Sequence, residues 1–245
     1  MKLQKILSRF LKLHPKEIDL SLDRIKLLCE KLGNPQDKIK AISVVGTNGK
    51  QSTINAIFSI LKEAKLNCNV YSSPHIQKIN ERFIFNNQEL KDEKLAFLFE
   101  EVEKINDNQP ITFFEILTAC YFYKAAQFPD NINLIEAGLF HRFDATNILK
   151  ENLASVVTSI SKDHLDWLEK DQQTIEKIVF EKTSTLLKSK IIVAKQSSKK
   201  TMDCIKKTIY QNPSSKVFFN DDFNYSVGEN DFFYYEDKLG GLKLP

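Results

Sequence analysis

A glycine-containing loop at residues 46–53 holds the residues best suited to chemistry in this sequence. Gly46 and Gly49 allow positive backbone φ angles, so the chain can approach an anion closely there. Lys50 adds a positive charge, and Ser52 adds a hydroxyl group of the kind that binds a magnesium ion. These residue types in this order favour binding of a nucleotide phosphate.

The sequence around the loop predicts a strand before it and a helix after it. Residues 41–45 form an apolar run, and apolar positions recur at helical spacing across residues 54–61. Backbone N–H groups at the start of such a helix bind phosphate well. The general pattern G-x-x-x-x-G-K-[ST] is not met, however, because Val44 and Gln51 occupy two of its positions. From the loop alone, a phosphate site and an ordinary glycine turn remain alternatives.

Polar side chains at the ends of three other predicted strands form a second group of site residues. Ser73 is either a metal ligand or a turn hydroxyl, and His75 either contacts an anion or lies on the surface. Glu136 directly follows a buried strand, where a carboxylate is costly unless it is paired or bound to metal. His164 follows the next strand and is either a metal ligand or a structural histidine.

Lys182 lies in a helix that is otherwise mostly apolar on one side. A charged residue on a helix usually faces water, which is the simpler interpretation. The alternative is a lysine that faces the site with a lowered pKa. Such an amine takes up CO₂ to become a carbamate, which then acts as a carboxylate ligand for a metal.

Alternating strands and helices predict the fold that must position these residues. The apolar patterns predict strands at residues 41–45, 68–72, 132–135, 155–159 and 190–194, and helices at residues 2–13, 20–32, 54–61, 91–106, 113–127, 172–187 and 200–210. This alternation indicates an α/β fold with a P-loop-type, mostly parallel sheet and helices on both faces. Ligands bind outside the carboxyl ends of such strands, so we expect the polar segments to meet there.

The pattern changes beyond residue 212, where short aromatic segments alternate with Asn, Asp and Gly turns. They predict strands at residues 217–219, 223–226 and 232–235. We expect these strands to form a small antiparallel β extension near the C-terminus. The chain is accordingly divided into a larger domain at residues 1–212 and an extension of the same domain at residues 213–245.

Composition narrows the class of protein. The 245-residue chain is 42% hydrophobic and 27% charged with a net charge of +3, so it lacks the electrostatic footprint of a nucleic-acid-binding protein. Its 4 cysteines form no C-x-x-C pair, which argues against a zinc site and favours reduced thiols. No run approaches the roughly 18 apolar residues of a membrane span. We expect a cytoplasmic monomer without nucleic-acid or membrane partners.

A series of short motifs runs in order along residues 14–188. The main ones are Asp19-Leu20, Gly46-Thr47-Asn48-Gly49-Lys50, Ser72-Ser73-Pro74-His75, Asn80-Glu81-Arg82, Thr112-Phe113-Phe114-Glu115, Glu136-Ala137-Gly138, Arg142-Phe143-Asp144-Ala145-Thr146-Asn147, Asp163-His164 and Glu181-Lys182. In this order and spacing they resemble the folylpolyglutamate synthase/dihydrofolate synthase family, a branch of the Mur-ligase-like amide ligases. The loop at residues 46–50 resembles that family's own phosphate loop.

The resemblance implies a role for each matched residue. The ATP phosphates would be bound by Thr47, Asn48, Gly49, Lys50 and Ser52. The Mg²⁺ ligands, for two ions, would be Ser73, Glu136 and His164, with a carbamylated Lys182 serving the second ion. The pterin pocket would be lined by Asp19, Leu20, Phe114 and Asp144. The catalytic residues would be Lys50, Lys182 and His164.

The activity implied by the resemblance is ATP-dependent addition of L-glutamate to dihydropteroate, to a folate, or to both. The carboxylate of the pterin substrate would take the γ-phosphate of ATP to give an acyl phosphate, which the glutamate amine then attacks. ATP, dihydropteroate or folate, and L-glutamate are therefore the expected small-molecule partners. The alternative is a truncated, non-catalytic remnant that binds nucleotide or pterin.

Three segments depart from the family pattern. Gln51 stands where a glycine is usual, and it is strained only if its φ angle is positive. Residues 139–141 are Leu-Phe-His instead of a glycine pair. Residues 183–185 are Thr-Ser-Thr instead of small and apolar residues, which argues against burial of Lys182. The family also continues beyond the length of this chain into a C-terminal ligase domain, so we expect the chain to contain the ATPase-type domain alone.

Overall fold

The computed structural model describes residues 2–16, 19–163, 165–228 and 232–244. The helices are α1 Lys2–Phe10, α2 Asp23–Lys31, α3 Lys50–Glu63, α4 Asp92–Asn106, α5 Phe113–Ala125, α6 Ile175–Thr183 and α7 Lys199–Thr208. The strands are β1 Lys40–Val45, β2 Cys68–Tyr71, β3 Phe83–Phe85, β4 Gln88–Glu89, β5 Ile132–Glu136, β6 Ala154–Val157, β7 Lys190–Val193, β8 Lys216–Phe218, β9 Phe223–Val227, β10 Phe233–Asp237 and β11 Gly240–Leu244. Short 3₁₀ turns lie at Pro35–Lys38, Ile79–Arg82, Leu165–Trp167 and Lys170–Gln172.

Eight strands form one sheet in the order β4-β3-β2-β5-β1-β6-β7-β8. The strands from β2 to β8 in this order are parallel, and β3 and β4 add an antiparallel edge. Strand β5 shows that helices cover both faces of the sheet. Leu134 packs in the cluster that contains Ile54 of α3, whereas Ile135 packs in the cluster formed by α1, α2, α4 and α5. The predicted fold class is confirmed.

The C-terminal strands are only partly as predicted. β8 does not join the small antiparallel sheet, because it pairs in parallel with β7 and becomes the outer strand of the main sheet. The small sheet consists of β9, β10 and β11. The aromatic and β-branched residues of 217–219 predict a strand but do not specify its partner, and β7 offers an open edge. The domain boundary at residue 212 stays a prediction.

Other element boundaries also differ from the sequence-based ones. α1 ends at Phe10 rather than near residue 13, and α6 covers only Ile175–Thr183 of the predicted 172–187. Leu186 and Leu187, just after α6, pack against different hydrophobic clusters, so this part of the chain has left the helix. The short strands β3 and β4 were not predicted. Among the described residues, no helix has the length and apolar character needed to cross a membrane.

A buried group of asparagines ties β2 to β5. Asn69 and Asn133 lie opposite each other in the register and are fully buried. The Asn69 amide donates to Asn133 Oδ1 over 3.0 Å, and the Tyr121 hydroxyl donates to the same oxygen over 2.9 Å. The Asn133 amide donates to the backbone oxygens of Lys40 and Asn131. A shift of the strands by one residue would bury these amides unpaired, so the network specifies the register.

Removing the Asn133 amide tests this role. Asn133→Ala leaves the Tyr121 hydroxyl and the Asn69 amide without their buried acceptor, so we expect a loss of about 2–4 kcal/mol in the free energy of unfolding. Urea unfolding followed by circular dichroism measures it. Asn55→Ala on the exposed side of α3 is the matched control and should change stability by less than about 0.5 kcal/mol. Equal unfolding midpoints for the two variants would contradict the prediction.

Candidate functional site

The carboxyl ends of the parallel strands bring the predicted polar segments together. The backbone N–H of Thr47 donates to the Ser159 oxygen over 2.9 Å, which joins the loop after β1 to the segment after β6. The Ser73 N–H donates to Glu136 Oε2 over 3.0 Å, which joins the segments after β2 and β5. With Lys50 4.0 Å from Glu136, these contacts confirm the predicted convergence for the segments after β1, β2 and β5.

The glycine loop leads directly into helix α3. Gly49 has φ 84° and caps the helix, which begins at Lys50. The first N–H groups of a helix have no partner within the helix, so they are available to an anion. The Lys50 amine folds back over the loop and lies 3.2 Å from the Thr47 oxygen. Asn48 reaches Ser161 Oγ at 3.5 Å, and Ser52 is exposed in the first turn of the helix.

Glu136 lies at the end of β5 and is only 3% exposed. Besides the Ser73 N–H, its partner is the Lys50 amine, which lies 4.0 Å from Oε1. Burial raises the pKa of this carboxyl, and the Ser73 N–H and the charge of Lys50 oppose that rise. The Glu136 carboxylate thus lies between the backbone of Ser73 and the Lys50 amine of the phosphate loop.

His164, the third predicted metal ligand, lies outside the described residues. Among the residues that the structure does describe, no group of three His, Cys, Asp or Glu side chains is arranged to hold a metal ion. The oxygen atoms of Glu136 and Ser73 are nevertheless of the type that Mg²⁺ prefers. The predicted ligand set therefore stays a prediction, with two of its three members in contact.

Lys182 is buried and points toward the phosphate loop, with 2% of the residue exposed. Its amine donates to the Gly46 oxygen over 3.0 Å and to the Leu139 oxygen over 2.8 Å. Burial, together with the nearby charge of Lys50, lowers the pKa of Lys182 to about 8. The preceding residue, Glu181, is also buried but is neutralised by a two-bonded ion pair with Arg142.

A cavity of about 350 Å³ opens beside the phosphate loop. Lys50 and Ser73 line it on the side of the loop, and all four residues predicted for the pterin pocket also line it: Asp19, Leu20, Phe114 and Asp144. Further lining residues had no role assigned from the sequence, namely Arg82, Gly138, Leu139, Phe140, Phe143 and Trp167 among others. One cavity therefore adjoins the phosphate loop and is lined by aromatic side chains, among them Phe114.

Short polar contacts hold the walls of this cavity. Asp144 is buried and accepts the backbone N–H groups of Gly138 at 2.8 Å and Thr146 at 2.9 Å. Burial raises the pKa of Asp144, and these hydrogen bonds oppose the rise. A Cβ atom on Gly138 would lie 2.8 Å from Asp144 Oδ2 and 3.2 Å from the Phe114 ring, so this position has room only for glycine.

Arg24 connects the two segments that carry Asp19 and Phe114. Its guanidinium donates to Asp19 Oδ2 over 2.7 Å and to both carboxylate oxygens of Glu115 at 3.0 and 3.1 Å. Glu115 also closes a capping box with Thr112 at the start of α5. The loop before α2 is thereby held against the first turn of α5, where Phe114 lies.

Comparisons with known proteins agree with this geometry. The dihydrofolate synthase/folylpolyglutamate synthase of Escherichia coli is 40% identical over 165 residues, which cover 66% of this chain and 38% of that protein. The enzyme of the same name from Haemophilus influenzae is 42% identical over 178 residues, which cover 72% of this chain and 39% of that protein. The matched part of this chain thus covers well under half the length of each of these relatives. No protein-family model matches the chain.

Solved structures agree over almost the whole chain. The Escherichia coli FolC complex with DHPP and ADP has a TM-score of 0.86 at 33% identity, covering 98% of this chain and 56% of that one. The bifunctional folylpolyglutamate synthase/dihydrofolate synthase from Yersinia pestis, complexed with AMPPNP and a Mn ion, has a TM-score of 0.85 at 28% identity and is matched over 57% of its length. The chain belongs to the folylpolyglutamate synthase/dihydrofolate synthase family.

The departures from this family's pattern can now be located. Gln51 lies in the first turn of α3 and is exposed, so it is a helical residue without a positive φ angle. The residues Thr183 to Thr185 do not prevent burial of Lys182. Phe140 is buried with its ring centroid 5.5 Å from the Lys182 amine, and Leu139 supplies that amine with a carbonyl oxygen. The bulky residues therefore become part of the lysine's surroundings.

Three of the lining residues without an assigned role lie near motifs that the sequence analysis used. Arg82 closes the predicted motif Asn80-Glu81-Arg82, but nothing in the sequence tells where its side chain points. Phe143 lies beside the matched Asp144, and Trp167 follows the polar segment after β6. Their proximity to matched positions could have pointed to the site, but an aromatic residue at such a position is equally compatible with the hydrophobic core.

The two loop glycines give a testable contrast. A Cβ atom on Gly46, which has φ 144°, would collide with the Thr158 side chain, whereas a Cβ on Gly49 meets nothing within 4 Å. Gly49→Ala should therefore cost only the backbone strain of about 1 kcal/mol in the free energy of unfolding. Gly46→Ala should cost about 3 kcal/mol or more, because steric overlap is added to the strain. Thermal and urea unfolding measure both, and an equal loss would contradict the assigned clash.

Proposed function

We propose that this chain provides the ATP and pterin sites of an ATP-dependent ligase that adds L-glutamate to dihydropteroate, to a folate, or to both. The observation that carries the proposal is the single cavity that adjoins the phosphate loop at Lys50 and Ser73 and extends to Phe114 and Asp144. Such a cavity lets the carboxylate of a pterin substrate approach the terminal phosphate of ATP. The dihydrofolate synthase/folylpolyglutamate synthases similar to this chain support the same assignment.

The phosphate loop would bind the nucleotide. Thr47, Asn48, Gly49 and Ser52 surround the start of α3, where free backbone N–H groups and the helix dipole favour negative charge. The Lys50 amine, now 4.0 Å from Glu136 and 3.2 Å from the Thr47 oxygen, would move its charge onto the phosphate oxygens. Compensation of charge that develops during phosphoryl transfer is the main contribution of such residues to catalysis.

Glu136 and Ser73, with His164, would hold Mg²⁺ beside the phosphates. Among the described residues, the cation paired with the buried Glu136 carboxylate is the Lys50 amine at 4.0 Å, and a divalent cation would neutralise this carboxylate more fully. The resemblance to the family implies two Mg²⁺ ions, and we propose the same number here. Bound Mg²⁺ would supply positive charge to the phosphoryl oxygens. The chain's own residues orient the carboxylate ligand, through the Ser73 N–H bond to Glu136 Oε2.

Lys182 would be carbamylated. Carbamate formation needs a neutral amine, and the pKa of about 8 leaves a substantial neutral fraction at slightly alkaline pH. The two carbonyl oxygens at 2.8 and 3.0 Å hold the amine at a defined position near the phosphate loop. Lys182 would then supply a negative oxygen ligand where the unmodified residue supplies a positive charge.

The pterin would lie against Phe114, with its polar edge near Asp144 and Asp19. Offset stacking of a flat ring on Phe114 is favourable, and buried carboxylates recognise ring N–H groups well. In the reaction, a carboxylate oxygen of the substrate attacks the γ-phosphorus and ADP leaves, which gives an acyl phosphate. The glutamate amine then attacks the acyl carbon, and phosphate leaves as the amide forms.

Turnover by this chain tests the proposed function. With ATP, Mg²⁺, dihydropteroate and L-glutamate, ADP and dihydrofolate should form together, and Lys50→Met should lower kcat at least about 100-fold. Lys62→Met, on the exposed last turn of the same helix, is the matched control and should keep full activity. ATP and pterin binding without turnover would instead favour a non-catalytic nucleotide- and pterin-binding protein.

Carbamylation of Lys182 has its own readout. After incubation with ¹³C-bicarbonate near pH 8, the wild-type chain should give a carbamate carbonyl resonance in ¹³C NMR, because the pKa of Lys182 is close to that pH. Lys182→Arg should abolish the resonance, whereas Lys188→Arg should leave it unchanged. A spectrum without a signal that depends on Lys182 would refute the carbamate.

A further inference from the structure

Arg82 is a buried cation that no carboxylate of the described residues pairs with. It is 8% exposed, lines the cavity, and has no carboxylate within ion-pair distance among the described residues. The other three arginines of the chain, Arg9, Arg24 and Arg142, each make a two-bonded pair with a glutamate. Burial of an unpaired charge costs several kcal/mol, so it points to an anion that the described residues do not supply.

His75 holds the Arg82 side chain in place. The Arg82 Nε–H donates to His75 Nδ1 over 2.9 Å. This is the only side-chain hydrogen bond of Arg82 within the described part of the chain, so its two terminal amino groups are left for another acceptor. Two parallel N–H groups of a guanidinium match the two oxygens of a carboxylate.

The loop that carries both residues is built around one carboxylate. Glu81 accepts the backbone N–H groups of Ile76, Gln77 and Lys78 at 2.7 to 2.9 Å. The neighbouring Asn80 amide donates to the Leu90 oxygen over 2.8 Å, which anchors the loop to the rest of the fold. The relative positions of His75 and Arg82 are therefore determined by backbone contacts, and the pair is preorganised.

Glu136, an anion that Arg82 influences, already has other partners. Arg82 interacts with Glu136 only at long range, and Glu136 has the Ser73 N–H and the Lys50 amine as its partners. Lys50 and Arg82 both line the cavity, together with Phe114 and Asp144. Lys50 belongs to the phosphate loop and is placed for phosphate, which leaves Arg82 for a different anion. A carboxylate on a molecule stacked in that cavity is the anion that fits Arg82.

We propose that Arg82 binds the carboxylate of the acceptor substrate, and that His75 is a positioning residue that aims the guanidinium through its Nδ1 atom. The proposal rests on the proposed function, because the cavity must accept a pterin that carries an aromatic carboxylate. It makes Arg82 the residue that discriminates a free carboxylate from a neutral group of the same shape. Lys50 remains assigned to the nucleotide.

Binding of two matched ligands tests the proposal. Dihydropteroate and its neutral carboxamide differ only in the group that Arg82 would bind. Trp167 is the single tryptophan of the chain and lines the cavity, so its fluorescence reports binding. The wild-type chain should bind dihydropteroate about 10- to 100-fold more tightly than the carboxamide, as expected for charge-assisted hydrogen bonds. Arg82→Met should reduce this ratio to about 1.

Two variants of His75 separate positioning from folding. His75→Asn keeps an acceptor near the place of Nδ1 and should retain most of the carboxylate preference, whereas His75→Leu removes the acceptor and should lower it at least about 3-fold. His75 is only half-buried, so we expect both His75 variants to fold, and circular dichroism checks this. They therefore test the proposal even if Arg82→Met fails to fold. Equal ratios for His75→Leu and the wild type would overturn the positioning role.

The remaining outcomes distinguish the proposal from the proposed function. If the wild-type chain binds both ligands equally, the Arg82 assignment is wrong while the pterin site stands. If it binds neither ligand, the pterin site is wrong and the carboxylate assignment is wrong with it. ATP affinity should be the same in the wild type and Arg82→Met, and a large loss of ATP affinity with an intact carboxylate preference would assign Arg82 to phosphate.

Discussion

The register between β1 and β5 is the constraint on which the site depends. It places Val44 opposite Glu136, so the strand that leads into the phosphate loop and the strand that carries the buried carboxylate end side by side. Side chains alternate between the two faces of a strand, and a shift by one residue would turn Glu136 away from Lys50. The buried contact between Asn69 and Asn133 makes the matching register of β2 and β5 costly to change, and β2 in turn leads to Ser73.

Among the described residues, charged groups of the site differ in how closely they are paired with opposite charges. Glu181 is satisfied by Arg142, and Glu115 by Arg24, so these pairs hold the walls. In the described part of the chain, the Lys182 amine donates to two carbonyl oxygens, the Lys50 amine lies 4.0 Å from Glu136, and the Arg82 Nε–H donates to an imidazole nitrogen of His75. Burial of charged groups costs stability, and binding of ligands with the opposite charge would offset that cost. The wall contacts and the unpaired groups therefore serve different purposes.

The cavity is assembled from segments far apart in the chain. Arg24 links the loop of Asp19 to the start of α5, and the backbone N–H of Gly138 fixes Asp144 against Phe114. Each wall is therefore held by hydrogen bonds within the fold, which fixes Phe114 relative to the phosphate loop. Preorganisation of this kind is what a reaction between two bound substrates requires.

Much of this architecture followed from the amino-acid sequence itself. Apolar runs and helical spacing determined the alternating elements, the parallel sheet and the position of the glycine loop before α3, because these depend on local patterns. The order of motifs also identified Asp19, Leu20, Phe114 and Asp144, which all line the cavity. Only the tertiary structure decided that β8 pairs with β7, that Lys182 is buried despite its polar neighbours, and that the Arg82 Nε–H donates to His75 with no described carboxylate in ion-pair distance. Each of those three depends on which distant residues surround a side chain or a strand edge, and that is determined by packing of the whole fold.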